Sequence, residues 1–224
     1  MTKVLIVEDE LDIIELISFH LKKEGFQVRF TSNGEDTLSL KPTQLPDLIL
    51  LDLMLPGLDG LEICKQLKSN PVTQMVPIIM ISAKSEESDI VTGLELGADD
   101  YVTKPFSPKI LMSRIKSVLK RSQYQPAKDA PVKYKRLTII PSKREVFFDQ
   151  LSIQLTFSEF ETLYLLASNP GRVFTRYQIV EEVHGHDYAV TDRTIDVLIV
   201  GLRKKIPDSS LIETIRGVGY RFKE

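Results

Sequence analysis

At 224 residues the chain has room for one large domain or two ordinary ones. A hydrophobic content of 42% with 27% charged residues excludes a disordered or fibrous chain, and no apolar run approaches the ~18 residues of a spanning helix. The net charge of −2 is unevenly divided: residues 1–122 carry 14 basic against 18 acidic side chains, and 123–224 carry 15 against 13. The mildly basic second half permits nucleic-acid contact without demanding it. A single cysteine, Cys64, excludes an intrachain disulfide and a multi-cysteine zinc site, and reads as a small buried apolar residue. The opening apolar run is too short for a signal peptide, so a cytoplasmic protein is expected.

In chain order, residues 1–121 alternate between short apolar runs and longer segments of helical period. The runs are 4–7, 28–31, 48–51, 78–81 and 101–103. Between them Ile13, Ile14, Ile17 and Leu21 share one helical face, as do Leu61, Cys64 and Leu67. A closing helix over 108–121 carries Ile110, Leu111, Ile115, Val118 and Leu119. Five strands alternating with helices predict an α/β domain, its parallel sheet covered on both faces through right-handed crossovers.

Residues 122–132 are polar, hold two prolines and show no period, which predicts a linker. A second domain, 133–224, follows. Strand-like stretches at 137–140, 145–148 and 151–155 precede helical segments near 158–168, 176–183 and 192–205. Residues 211–222 read as a hairpin whose turn is built on Gly217 and Gly219.

The residues that end the first domain's apolar runs are chemically pointed. Glu8 and Asp9 close the first, Asp52 the third, Ser82 the fourth, and Thr103-Lys104-Pro105 the fifth. In an open parallel sheet, ligands bind at the carboxyl ends of the strands. Carboxylates gathered there repel one another unless a cation is present, and hard oxygen ligands suit Mg²⁺. A carboxylate can also attack a phosphoryl group to form an acyl phosphate, with a metal and Lys104 neutralising the developing charge and Ser82 donating to a phosphoryl oxygen. Any one of these residues could instead be a cap or turn residue. Their recurrence at the same end of successive strands carries the reading.

Four ordered stretches then resemble the receiver domain of two-component systems: Val-Glu-Asp-Glu (7–10), Leu-Asp-Leu-Met-Leu-Pro-Gly-Leu-Asp-Gly (51–60), Ile-Ser-Ala-Lys (81–84) and Gly-Ala-Asp-Asp-Tyr-Val-Thr-Lys-Pro-Phe (97–106). The whole chain is similar to the OmpR/PhoB-family response regulators. That resemblance implies a flavodoxin-like five-stranded receiver joined to a C-terminal winged helix-turn-helix domain. It implies that Asp52 accepts phosphate from a sensor histidine kinase, and that Glu8, Asp9, Asp52 and the backbone carbonyl of Met54 hold Mg²⁺. Ser82 and Tyr101 would form a switch pair, Lys104 would contact the phosphoryl group, and the Lys104–Pro105 bond would be cis. Physically, a hydroxyl drawn to the phosphoryl oxygen vacates space that the Tyr101 ring can fill, which turns a local charge event into a packing change.

The family's activated receivers pair through the fourth helix, fifth strand and fifth helix. Glu95, Asp99, Asp100, Arg114, Lys116 and Arg121 stand where its charges stand, so Asp100 with Arg114, and Asp99 or Glu95 with Lys116, are the expected cross-dimer pairs. Ile90 and Ile110 replace a basic and an acidic residue of the family. They predict a homodimer face with an apolar centre and a charged rim, or else two residues packed within their own subunit.

In the second domain, Ser158 or Thr156 would cap the first helix, 184–191 would be a loop that touches RNA polymerase, and 216–222 would be the wing. His184 and His186 read as loop residues. Along 192–205, Ile195, Ile199 and Leu202, with Ile206 beyond, fall on the core face. Double-stranded DNA would meet Arg193, Thr194, Val197, Val200, Arg203 and Lys204, with Arg216 and Arg221 from the wing. Leu198, Val200 and Gly201 stand where the family carries base-reading polar side chains. That predicts AT-leaning, modest specificity, with a thymine methyl contact from Val200. Two other classes fit less well: an architectural DNA-binding protein, against which the intact acidic set argues, and an aspartyl-phosphate phosphatase, for which no substrate cap is visible.

Overall fold

The computed structural model describes residues 1–123, 130–184 and 193–224. The chain divides into two units at Ser122/Gln123. In the first, β1 (Lys3–Val7), β2 (Gln27–Thr31), β3 (Leu48–Asp52), β4 (Ile78–Ser82) and β5 (Asp100–Thr103) form a parallel sheet of order β2-β1-β3-β4-β5. β3 and β4 are buried at every position, which is why they read as continuous apolar runs rather than alternating ones. β2 lies at an edge and leaves Phe30 exposed.

Four helices accompany the sheet: α1 (Leu11–Lys23), α2 (Gly60–Ser69), α3 (Glu87–Glu95) and α4 (Pro108–Gln123). Ile14, Ile17 and Leu21 of α1 and Leu111, Ile115, Val118 and Leu119 of α4 join one sheet face (Val4, Ile6, Leu48, Leu50, Ile79, Ile81) in a single core. On α2, Ile63 is buried with Cys64 and Leu67, while Leu61 is only half-buried.

The helix expected between β2 and β3 is replaced by two 3₁₀ turns, Gly34–Ser39 and Pro42–Gln44. Pro42 and Pro46 interrupt the segment, and a prolyl ring cannot be accommodated inside a helix without losing a hydrogen bond.

The second unit opens with an antiparallel sheet, β6 (Val132–Tyr134), β7 (Leu137–Ile140), β8 (Glu145–Phe148) and β9 (Leu151–Ile153), in sequential order. β6 begins inside the stretch expected to be linker. Helices α5 (Phe157–Ala167), α6 (Arg176–His184) and α7 (Arg193–Lys205) follow, with a second sheet of order β10-β12-β11 from β10 (Phe174–Thr175), β11 (Ile212–Ile215) and β12 (Gly219–Phe222). Phe157, Phe160, Leu163, Ile179, Ile195, Ile199, Leu202 and Phe222 are buried in this unit. Thr156, not Ser158, caps α5, in a reciprocal capping box with Glu159.

The two hairpin glycines divide the work. Gly217 occupies the turn at φ +72°, where a side chain would be strained. Gly219 lies in the strand, where a Cβ would come within 2.0 Å of the Phe174 carbonyl oxygen, so only glycine lets β10 pair with β12. Among the described residues no helix is long and apolar enough to cross a membrane.

Candidate functional site

Parallel pairing brings the polar strand ends to one edge, with Asp52 beside Ile81 and Ser82 beside Thr103. Lys104, just past β5, reaches across that edge. Its Nζ lies 2.7 Å from Asp52 Oδ2, 2.9 Å from Glu8 Oε2 and 3.0 Å from Glu10 Oε1. Asp52 and Glu8 are each 2% exposed, and Asp52 Oδ1 accepts the Met54 N–H at 2.9 Å. The Lys104–Pro105 bond is cis.

Burial pushes the Glu8 carboxyl up to about 7; the Lys104 hydrogen bond opposes the rise and the Asp52 charge adds to it. Burial works against the Lys104 ammonium, yet its hydrogen bonds to Asp52, Glu8 and Glu10 outweigh that and hold its pKa above the ordinary lysine value. Three carboxylates against one ammonium leave negative charge. Their oxygens lie within 4.8 Å of one another, a spacing and donor type suited to a hard divalent cation.

Glu10 was not foreseen as a member of this cluster; Asp9 was, and it is exposed and not among the three. The chain bends at Asp9 just past β1, and the Glu10 N–H donates to Glu8 Oε1 at 3.3 Å across the bend, a local turn that no apolar period announces.

Ser82 is fully buried, and its Oγ accepts the Lys84 N–H at 3.2 Å. Tyr101 is 4% exposed, with its hydroxyl donating to the Lys84 carbonyl at 2.8 Å. Burial raises the Tyr101 phenol pKa, which a hydrogen bond with Ser82 partly offsets.

In the second unit Ile195, Ile199, Leu202 and Ile206 are buried, as their spacing predicts. Val200 is half exposed and Lys204 exposed, while Val197, Leu198 and Gly201 are half-buried. Thr194 corrects an expectation: it is 2% exposed, so its side chain faces the core and does not present its hydroxyl to solvent.

The helix is tied to the wing by its charged residues. Arg203 donates to the Ile212 carbonyl at 2.6 Å and to Thr214 Oγ1 at 2.8 Å. Asp196 receives Arg176 Nε at 2.6 Å and the Tyr220 hydroxyl at 2.7 Å. Arg221 pairs with Glu213 at 2.7 Å, whereas Arg216 is exposed. A Cβ at Gly201 would stand 3.1 Å from Glu159 Oε1, so the helix approaches the α5 capping box closely there.

Residues 4–116 match the family described as response regulator receiver domain, and 150–222 match that described as transcriptional regulatory protein, C terminal. The chain is 42% identical to the alkaline phosphatase synthesis transcriptional regulatory protein PhoP of Bacillus subtilis (strain 168), over 99% of this chain and 97% of that protein. Among solved structures, the Thermotoga maritima OmpR/PhoB homologue DrrB is 35% identical, with complete coverage of both chains and a TM-score of 0.53. The chain belongs to the OmpR/PhoB-type response regulators. It is a transcription regulator of two-component signalling, with an N-terminal receiver and a C-terminal DNA-binding unit. A cysteine-to-aspartate mutant of RitR is 26% identical with a TM-score of 0.81, again over the full length of both chains.

Within the receiver, four of the charges expected to pair across a dimer, Asp99, Asp100, Arg114 and Lys116, are engaged inside the chain. Arg114 Nη1 meets Asp100 Oδ1 at 2.7 Å, and both residues are buried. Asp99 is fully buried and binds Lys68 Nζ at 2.7 Å rather than Lys116. Lys68 also donates to the Val76 carbonyl at 2.9 Å and the Gln74 carbonyl at 3.4 Å, while Asp99 Oδ2 accepts the Ile78 N–H at 2.9 Å. Lys116 pairs with Glu24 at 2.9 Å. Ile110 is 53% exposed, Ile90 half-buried and Glu95 exposed. Cys64 is buried, and burial pushes its thiol pKa up to about 12, which makes it inert. The 184–191 loop reading falls almost wholly outside the described residues, as do His186 and Asp192; the side chains of Arg121, His184 and Arg193 lie outside them as well.

Proposed function

We propose that Asp52 is the phospho-acceptor and that its phosphorylation by a sensor histidine kinase drives homodimerisation and DNA binding in the cytoplasm. The observation that carries this is the single ammonium of Lys104 held against Asp52, Glu8 and Glu10 at the carboxyl edge of the sheet. In the reaction an Asp52 oxygen bonds the phosphorus as the donor's bond to it breaks. Lys104 holds charge on the phosphoryl oxygens, and Ser82 supplies a hydroxyl to one of them. Glu8, Glu10 and Asp52 fit Mg²⁺ by donor chemistry, and Asp9 and the Met54 carbonyl offer further oxygens by the family pattern. Bound Mg²⁺ supplies neutralisation of the carboxylates and of the incoming phosphoryl group.

On the DNA side, Arg193, Lys204 and Arg216 hold phosphates, Arg203 and Arg221 contribute from the helix–wing seam, and Val197 and Val200 face the bases. The dimer face comprises Ile90 and Ile110 at its centre, with Glu95, Lys116 and Arg121 around them and the internally paired Asp99, Asp100 and Arg114 shaping it. The 184–191 segment contacts RNA polymerase.

The test is incubation of the full chain with acetyl phosphate and Mg²⁺, reading intact mass, sedimentation and affinity for duplex DNA. One phosphoryl group per chain, absent in Asp52→Asn, with a rise in dimer and DNA affinity is expected. Unchanged labelling in Asp52→Asn, or labelling with no effect on DNA affinity, refutes the reading.

A further inference from the structure

Glycine inside a helix is unfavourable relative to alanine, because it loses more backbone freedom and packs nothing. Gly93 nevertheless sits buried within α3 (Glu87–Glu95), with helical backbone, so conformational freedom is not the reason for it. The reason lies in what it covers. β4 and β5 pair in parallel with Met80 directly beside Tyr101; neighbours in register point to the same face of a sheet. A Cβ added at Gly93 would lie 2.6 Å from Met80 Sδ and 3.3 and 3.4 Å from Cδ2 and Cε2 of the Tyr101 ring. Position 93 is therefore the floor on which the inward Tyr101 ring rests.

That inward position connects to the phospho-acceptor edge through a short chain of contacts. The Tyr101 hydroxyl donates to the Lys84 carbonyl at 2.8 Å. The Lys84 N–H donates to Ser82 Oγ at 3.2 Å. Ser82 ends the strand next to the one that ends in Asp52. An added methyl would displace the Met80 sulfur first, and because Met80 is fully buried beside Tyr101 in the sheet, the shifted thioether and the new methyl together crowd the ring from its inward seat.

We propose that Gly93 is the positioning residue for Tyr101: the bare backbone at 93 admits the ring to its inward seat, and so couples the state of the Asp52–Ser82 edge to the α3–β5 surface. The proposal rests on the reading of Asp52 as phospho-acceptor. Gly93 touches neither the phosphoryl group nor the metal site; it acts through Tyr101. Gly93→Ala leaves Asp52 chemistry in place and disconnects its output.

The experiment uses full-length chains carrying 3-fluorotyrosine, with the Tyr101 resonance assigned by Tyr101→Phe. Each is treated with acetyl phosphate and Mg²⁺, and DNA affinity is measured on a duplex selected from a random pool by the phosphorylated wild type. Gly93→Ala is expected to phosphorylate within about twofold of wild type, to move the Tyr101 resonance toward its solvent-exposed position, and to lose about tenfold of the phosphorylation-linked gain in DNA affinity. The double variant Gly93→Ala/Tyr101→Ala should match Tyr101→Ala alone, since the methyl has no ring left to displace. If the Met80 contact prevents folding, Gly93→Ala/Met80→Ala compared with Met80→Ala asks whether the ring contact alone moves the Tyr101 resonance, with a smaller shift in the same direction expected and no shift counting against the proposal. An unmoved Tyr101 resonance with full gain overturns the proposal, as do losses that add in the double variant. A responsive wild type with an equally responsive Gly93→Ala overturns this proposal alone; a wild type with no phosphorylation-linked gain overturns it together with the function proposed above.

Discussion

Replacing Lys68 by methionine isolates the buried ion pair that holds the end of α2 to the starts of β4 and β5. The lysine side chain is 3% exposed and that of Asp99 is fully buried. All three ammonium hydrogens have acceptors: Asp99 Oδ2 at 2.7 Å, the Val76 carbonyl at 2.9 Å and the Gln74 carbonyl at 3.4 Å. Methionine keeps most of the apolar stem and removes the charge. The Asp99 carboxylate then stays buried with the Ile78 N–H but without its ammonium. Removing one partner of a buried pair costs about 3–5 kcal/mol, most of it the desolvation of the abandoned charge. For a receiver of this size that corresponds to a fall in melting temperature on the order of 10–20 °C. Lys68→Met/Asp99→Asn removes both charges while leaving an acceptor for Ile78, and should recover most of the loss. Urea denaturation of the receiver transition in the full chain gives both values. A single variant within about 1 kcal/mol of wild type, or a double variant less stable than the single, refutes the reasoning.

Four further outcomes are expected. Glu8, its pKa raised to about 7 from an ordinary 4.5, favours the folded receiver in its protonated form. That contribution is complete below pH ~4.5 and is lost as pH rises through ~7; divalent-cation affinity runs the opposite way and weakens as pH falls below ~7, which calorimetric Mg²⁺ titration across that range will register. Thr156→Ala removes one side of the α5 capping box and should cost about 1 kcal/mol in the C-terminal unit's unfolding transition. Ile110→Lys, at a half-exposed site, should leave stability within about 0.5 kcal/mol but weaken phosphorylation-induced dimerisation in sedimentation; dimerisation equal to wild type sinks the apolar-centre reading. Lys204→Ala and Arg216→Ala should each lower the slope of log affinity against log salt by about one, and sites selected by the chain should lack required guanines opposite the middle of α7.

The sequence by itself determined the alternation of strands and helices, the strand ends that carry Glu8, Asp52, Ser82 and Lys104, the two-domain division and the core face of α7. These follow from signals that act within a turn or two of chain: apolar period, a capping box, a proline, a glycine turn. Only the tertiary structure decided the partners. Glu10 rather than Asp9 joins Asp52 and Lys104, Asp99 is claimed by Lys68, 31 residues away, and Asp100 by Arg114. Thr194 is turned to the core, Arg203 is spent on Ile212 and Thr214, and Gly93 is required by a ring on another element. A charge or a small residue carries no local mark of what it will meet; packing chooses that neighbour from the whole chain, and desolvation makes the choice binding.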